Sequence, residues 1–309
     1  EMQRSLVGSE MCIRDSGKPV TAIGERAFYY SLSLTSVTIP DSVTHISQKA
    51  FSCCFQLTSI TLPSGLTAIE SGTFDLCKSL TTIDIPDSVA AIADDAFIGC
   101  KALQSFTLSP NHPYFFLADG ALCRTVDNTL LFYPNARENR TYRIPDGIAA
   151  ISAYAFYDCD LLESVVIPDS ITQIPERAFY GCSALASVSL PDSLTEIGTA
   201  AFSGCSALTG IRIPAAITEI INHTFSGCTS LATLEIPDSV TKIGDYAFFG
   251  CTSLTSIAIP DSVTAIGNGA FSNCTALTLT VTPDSYAAEY AQANNIPYTY
   301  PDANDWLNN

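Results

Sequence analysis

The chain has 309 residues, 47% of them apolar, and carries 31 Asp and Glu against 14 Lys and Arg, a formal charge of −17. So acidic a surface repels phosphate backbones and anionic lipid, so nucleic acid is not an expected partner. No run of about 18 apolar residues occurs, so no membrane insertion is expected, and the acid suits a soluble monomer.

In chain order, residues 1–16 (EMQRSLVGSEMCIRDS) share nothing with the rest of the chain. The stretch SLVGSEMCIRDS resembles translated sequencing-adapter read-through. These residues are read as a non-native leader, with the true start and any export signal missing, and are set aside from fold reasoning.

From residue 17 a clock begins. Phe28, Phe51, Phe74 and Phe97 recur at one even spacing of 23 positions, and after a gap of 59 the series resumes at Phe156, Phe179, Phe202, Phe225, Phe248 and Phe271. Pro keeps the same time at Pro40, Pro63 and Pro86, then at Pro145, Pro168, Pro191, Pro214, Pro237, Pro260 and Pro283. Two residue types on one period mark a repeat architecture. In the unit Leu254–Cys274, Ile257 and Ile259 alternate with small residues, which predicts a strand with one buried face. Pro260 ends that strand and Asp261-Ser262 suit a turn. Val263 and Ile266 are expected to point inward along a second extended piece, Gly267 to permit a bend, and Ala270-Phe271 to sit in a tight helical turn. Stacked units would pile Leu, Ile, Val, Phe and Cys into continuous columns.

The repeats occupy 17–108 and 142–283. Between them, residues 109–141 break the period. The runs Ala121–Val126 and Thr129–Tyr133 around Asp127-Asn128 predict a hairpin insert, and Tyr142-Arg143-Ile144-Pro145 returns to the strand pattern. At 284–309 the pattern changes again. Asp284-Ser285, an Ala-rich stretch from Tyr286 and Asn294 predict a short helix that closes the open end of the core.

The pattern LxxIxIPxxVxxIxxxAFxxC resembles the BspA-like, or Treponema pallidum-type, leucine-rich repeat over residues 17–300. The resemblance implies a leucine-rich-repeat solenoid: a β-rich, right-handed stack of coils with short strands on two sides, short helical turns, one β-hairpin insert and a C-terminal capping helix. It also implies a protein-interaction module, since the family is rich in surface adhesins of host-associated microbes and protozoa.

Twelve Cys would ordinarily suggest disulfides or a metal, but nine of them, Cys54 to Cys274, each lie three positions after a ladder Phe. As repeat positions they read as buried thiols. No CxxC pair supports zinc, and no cofactor is expected. Cys53 is expected to point outward. The chain has three His, and His223 stands where other units carry Arg177, Ala200 or Tyr246, which reads as an exposed convex position rather than half of a Cys–His pair. No catalytic residue is assigned. Asp41, Asp87, Asp146, Asp169, Asp192, Asp238, Asp261 and Asp284 follow the repeat Pro. They read as turn residues, with weak Ca²⁺ binding as the sharper alternative.

Recognition is therefore expected on the outside. The exposed strand positions are mostly small and polar, with Val166, Ser189, Arg212 and Glu235 the candidates. Arg212 and Glu235 are equivalent positions in adjacent coils that could pair across strands. Tyr157 and Tyr180, in the slot after the ladder Phe, are the aromatic candidates, since Tyr is enriched at interface hot spots. The expected function is a non-enzymatic cell-surface or extracellular module that binds a protein partner, host extracellular matrix included. The competing reading is an intracellular or structural scaffold, and a carbohydrate-active enzyme is the remote third.

Overall fold

A computed structural model describes residues 19–301 and the backbone of the strands Gln3–Val7 and Glu10–Arg14. The chain packs as two compact units, Glu1–Glu138 with Gly147–Cys159, and Asn139–Asp146 with Asp160–Asn309. Each is a β-solenoid whose equivalent side chains meet across a shift of 23 positions, as where Ser206 donates to the Ser183 carbonyl.

The coil follows from its sequence. In the second unit, Gly210–Arg212, Thr233–Glu235 and Ser256–Ala258 are three-residue strands whose middle residue is buried. Pairing is parallel and steps by one repeat, as in Ile211↔Leu234 and Val165↔Val188. The repeat Pro then closes a turn, its carbonyl accepting the N–H of the apolar residue three positions on: Ile217 to Pro214 at 3.0 Å, Val240 to Pro237 at 2.9 Å, Val263 to Pro260 at 3.0 Å. Two-residue strands such as Glu219–Ile220 and Lys242–Ile243 form the second side.

The return to the next strand is made of tight turns with two left-handed positions. The first lies two positions before the ladder Phe and includes Arg177 (φ 52°), Ala200 (54°), His223 (59°), Tyr246 (53°) and Gly269 (59°). The second lies two positions after it, and glycine fills it at Gly181, Gly204, Gly227 and Gly250. Left-handed backbone crowds Cβ at both slots, and at the second the neighbouring coil is also close, a Cβ at Gly204 lying 3.3 Å from the Gly181 Cα, which favours glycine there. Gly267 is needed for a different reason from the expected bend. Its φ is not left-handed, and a Cβ there would sit 2.5 Å from the main-chain nitrogen of Asp245 in the preceding coil. Close approach of coils, not turning, excludes a side chain.

The interior is columnar. Phe179, Phe202, Phe225, Phe248 and Phe271 stack with centroids 5.3, 5.9, 5.6 and 5.3 Å apart. In the first unit Phe28, Phe51, Phe74 and Phe97 do the same at 5.0, 5.9 and 5.5 Å. Burying each ring contributes about 1.5–3 kcal/mol. Beside the rings runs the Cys column. Thiols of this column donate to the carbonyl of the ladder residue one coil back, at 3.2 Å for Cys77–Phe51, Cys205–Phe179 and Cys251–Phe225.

The insert is a three-stranded antiparallel meander, Phe115–Ala118, Ala121–Arg124 and Thr129–Phe132, whose last strand runs parallel to Ala150–Ile151. Tyr133 takes a ladder place here. Its ring stacks on Phe156 at 5.3 Å and its carbonyl lies 3.8 Å from the Cys159 thiol. The helix Tyr286–Ala293 closes the second unit. Ser285 caps it by accepting the N–H of Ala288, Ala287, Ala288 and Ala291 are buried, and Tyr290 meets Phe271 edge to face at 6.3 Å. The reading of 1–16 as foreign falls largely outside the described residues. Within it, Gln3–Val7 and Glu10–Arg14 pair as a hairpin, and the second strand runs parallel to Ser36–Thr38. Residues 302–309 of the cap also lie outside the described residues.

Candidate functional site

The strand face of the second unit holds four of the six candidate residues. Val166 and Ser189 are register partners, as are Arg212 and Glu235. Gly210–Arg212 and Thr233–Glu235 bury their middle side chains, whereas Val188, in the middle of Ser187–Ser189, is half-buried. A groove of about 1080 Å³ is lined by Gly210, Arg212, Thr233, Glu235, Ser256, Ala258, Thr280 and Pro301.

Arg212 and Glu235 do not form the cross-strand pair that their register suggests. The Arg212 guanidinium reaches Asp192, in the turn of the preceding coil, at 2.6 Å. That contact holds the Arg212 pKa above its ordinary value, and the charge of Glu235 adds less. The pair is solvent-exposed, so it orients the guanidinium more than it stabilises the fold. Glu235 therefore presents its carboxylate on the groove wall.

The two tyrosines lie elsewhere, in the turns after the ladder Phe. Tyr157 belongs to the first unit and Tyr180 to the second, and both are half-buried. Tyr157 has the ring of Tyr154 beside it at 6.0 Å, so local packing accounts for part of its role.

His112 is committed internally, whereas His45 and His223 stand at the surface. The Nδ1 of His112 accepts the N–H of Tyr114 and of Phe115, both at 3.2 Å, which leaves Nε2 to donate to the Pro86 carbonyl at 3.0 Å. His112 thus ties the insert to the repeat on one rim of a second hollow, about 640 Å³, that also includes Phe116 and Leu117. His223 is exposed and stacks on Tyr246 at 5.2 Å. His45 faces Glu70 at 3.6 Å. The described cysteines form no disulfide, and all but Cys274 are buried. Cys53 is among them, 8% exposed, which corrects the expected outward placement. Burial pushes the Cys228 thiol up to about 12 and Cys54 up to about 11. Such thiols are poor nucleophiles at neutral pH.

Two of the aspartates after the repeat Pro tie their turns to the next coil. Asp41 accepts the N–H and hydroxyl of Ser64 in the next coil at 2.8 and 2.9 Å, which lowers its pKa, and Asp87 accepts the Ser109 hydroxyl at 2.5 Å. Among the described residues no group of three or more His, Cys, Asp or Glu is placed to hold a metal. Among them, too, no helix is long and apolar enough to cross a membrane.

Coils of this length, with stacked aromatic columns and a strand face open to solvent, define a leucine-rich-repeat protein. The chain belongs to the BspA type leucine rich repeat family, whose pattern matches in six copies over residues 18–117 and 149–278. It is similar to the pneumococcal vaccine antigen PcpA in fold, at 21% identity and a TM-score of 0.76 over 94% of this chain and 73% of that one. A leucine-rich repeat protein from Eubacterium ventriosum matches at 25% identity and a TM-score of 0.67, over 84% of this chain and 81% of that one. A leucine rich cell surface protein from Faecalibacterium prausnitzii matches at 30% identity and a TM-score of 0.50, over 95% and 88%. No curated protein sequence matches the chain. The family is an interaction scaffold, and no catalytic family is indicated.

Proposed function

We propose that this chain is a non-enzymatic protein-interaction module at the cell surface, and that it holds a host or extracellular-matrix protein on the strand face of its second unit. The observation that carries the reading is the groove over Gly210–Arg212, Thr233–Glu235 and Ser256–Ala258, with Arg212 and Glu235 standing among small side chains. Small residues admit a partner's backbone, and one cation and one anion set its register. Val166 and Ser189 extend the same face. The surface location is supported by the kinship with a chain described as a cell surface protein and by the fold shared with a vaccine antigen.

The test is surface plasmon resonance of the whole chain, expected to be monomeric, over immobilised collagen, fibronectin and laminin. Ala258→Arg, which fills the groove, and Arg212→Glu are expected to weaken the interaction at least about tenfold with unchanged melting temperature. Absence of binding to all three, or binding that both variants leave intact, rejects the proposal. One observation favours a second reading, that of an intracellular or structural scaffold: the described cysteines form no disulfide, as in reducing compartments.

A further inference from the structure

We infer that the turn side of the first unit carries a second recognition surface, fitted to an acidic protein segment bearing an apolar side chain. Three side chains within four positions stand in solvent: Tyr29 is 49% exposed, Tyr30 55% and Leu32 46%. The patch continues into the next coils. The Tyr29 ring lies 6.1 Å from Tyr30, Tyr30 meets Phe55 edge to face at 5.6 Å, and the Lys78 ammonium sits 4.9 Å above the Phe55 ring. Leu32, Phe55, Lys78 and Lys101 are equivalent positions in successive repeats, so the row passes from apolar to cationic. The same slot holds Ser183, Ser206, Thr229 and Thr252 in the second unit, so the coil itself does not require large side chains there.

Charge points to the partner. Every Lys and Arg between residues 19 and 101 lies in these turns: Arg26, Lys49, Lys78 and Lys101. Arg26 faces Glu25 at 3.8 Å, Lys101 faces Asp158 at 3.4 Å, and Lys49 lies in the field of Asp75. Lys78 differs. Among the described residues no carboxylate reaches it, and its charge rests on an aromatic floor, where a partner carboxylate can meet it. In a chain of formal charge −17, such a cation beside exposed rings is complementary to acid rather than to base.

Backbone strain gives a second, independent observation. Tyr30 holds φ at +58° in the slot that Gly99, Gly181, Gly204, Gly227 and Gly250 fill elsewhere. Cys53 and Leu76 share that slot in the next two coils, but Cys53 is buried and Leu76 half-buried, whereas the Tyr30 ring stands in solvent. Left-handed backbone disfavours a bulky residue, and a ring that is more than half exposed returns little burial for the strain. The patch retains a side chain that the fold does not need.

A random peptide library displayed on phage and panned on the immobilised whole chain tests this. The surface should enrich peptides that join Asp or Glu to Leu, Phe or Tyr. Affinity for a synthetic copy of the enriched sequence should fall at least about tenfold in Tyr30→Gly and in Lys78→Glu, while Tyr30→Gly melts no lower than the parent. Lack of acidic enrichment, or binding that both variants leave intact, overturns the inference. So does capture of sulfated or sialylated glycans in place of peptide, or a patch that serves only to pair two copies of the chain in sedimentation.

Discussion

The thiol of Cys228 donates to the main-chain oxygen of Phe202, 3.2 Å away and 26 positions back in sequence. The same contact recurs from Cys54 to Phe28 at 3.1 Å and from Cys274 to Phe248 at 3.0 Å. The Cys column is thus a row of hydrogen bonds between coils, laid beside the Phe column. Removing one donor tests its worth. Cys228→Ala deletes the sulfur and one of two bonds to the Phe202 carbonyl, since the Cys205 N–H remains. The expected cost is about 1–2 kcal/mol, read from the urea midpoint. Cys228→Ser keeps a donor and should cost less. Ser31 already occupies the equivalent slot of the first coil.

Burial makes these thiols a source of alkaline sensitivity. The ordinary value is 9.0, and in the folded chain Cys228 and Cys123 rise to about 12 and Cys54 to about 11, chiefly by desolvation. An unfolded chain loses these protons first. The stabilisation is therefore complete below pH about 9 and disappears as pH rises toward the folded values, at no more than about 1.4 kcal/mol per unit per thiol. Urea midpoints in reducing buffer at pH about 8 and about 10 should differ, with the higher pH weaker, and Cys228→Ser should narrow the gap. Equal midpoints would contradict the burial.

Exposure ranks the thiols for labelling. Cys274 is the described cysteine that is only half-buried. In a native-state iodoacetamide time course read by peptide mass spectrometry, Cys274 should be modified first among the ladder cysteines. Cys77, Cys100, Cys205 and Cys228 should wait for unfolding. Early labelling of Cys205 would show that the column is open to solvent.

The left-handed slots predict opposite signs for opposite substitutions. Ala200 holds φ at +54°, and glycine is free of that strain. Ala200→Gly should be neutral or stabilising, by up to about 1 kcal/mol, because relief of strain outweighs the added chain entropy. Gly227 holds φ at +74°, while a Cβ there would make only ordinary contact with the Gly204 backbone at 3.7 Å, so the cost is backbone strain. Gly227→Ala should cost about 1–2 kcal/mol. Thermal melts of the pair check both signs.

The sequence is most transparent where one residue type keeps one period. The Phe columns and the capping helix from Ser285 to Asn294 are visible because spacing and capping chemistry are local. Tyr133 escapes such a reading, although it stands one full repeat before Phe156, because a period followed through Phe alone passes over a Tyr ring that fills the same column. The Arg212–Asp192 pair is hidden for another reason. It joins a strand to a turn 20 positions earlier, and side-chain reach across coils is not written in strand register. Cys53 is misplaced from sequence because burial is set by the packed coils and not by the local backbone: Tyr30 shares its left-handed φ and stands in solvent. The role of Gly267 also depends on distance: Asn222 Oδ1 accepts the Asp245 N–H at 2.9 Å and Asp245 Oδ1 accepts the Asn268 N–H at 2.6 Å, a side-chain ladder that draws the coils together. The exposed row Tyr29, Tyr30 and Leu32, with the half-buried Phe55 beside it, is legible only in part, since exposure is a property of the folded coil.

The central claim is that equivalent side chains share one interior column and leave recognition to the outer faces. A double-mutant cycle on Phe202 and Phe225, whose rings are stacked 5.9 Å apart and 4° from parallel, tests it most directly. Each Phe→Leu change should destabilise the chain in urea melts. The double variant should lose less than the two together, with a coupling of about 0.5–1.5 kcal/mol. Strict additivity would contradict a shared column.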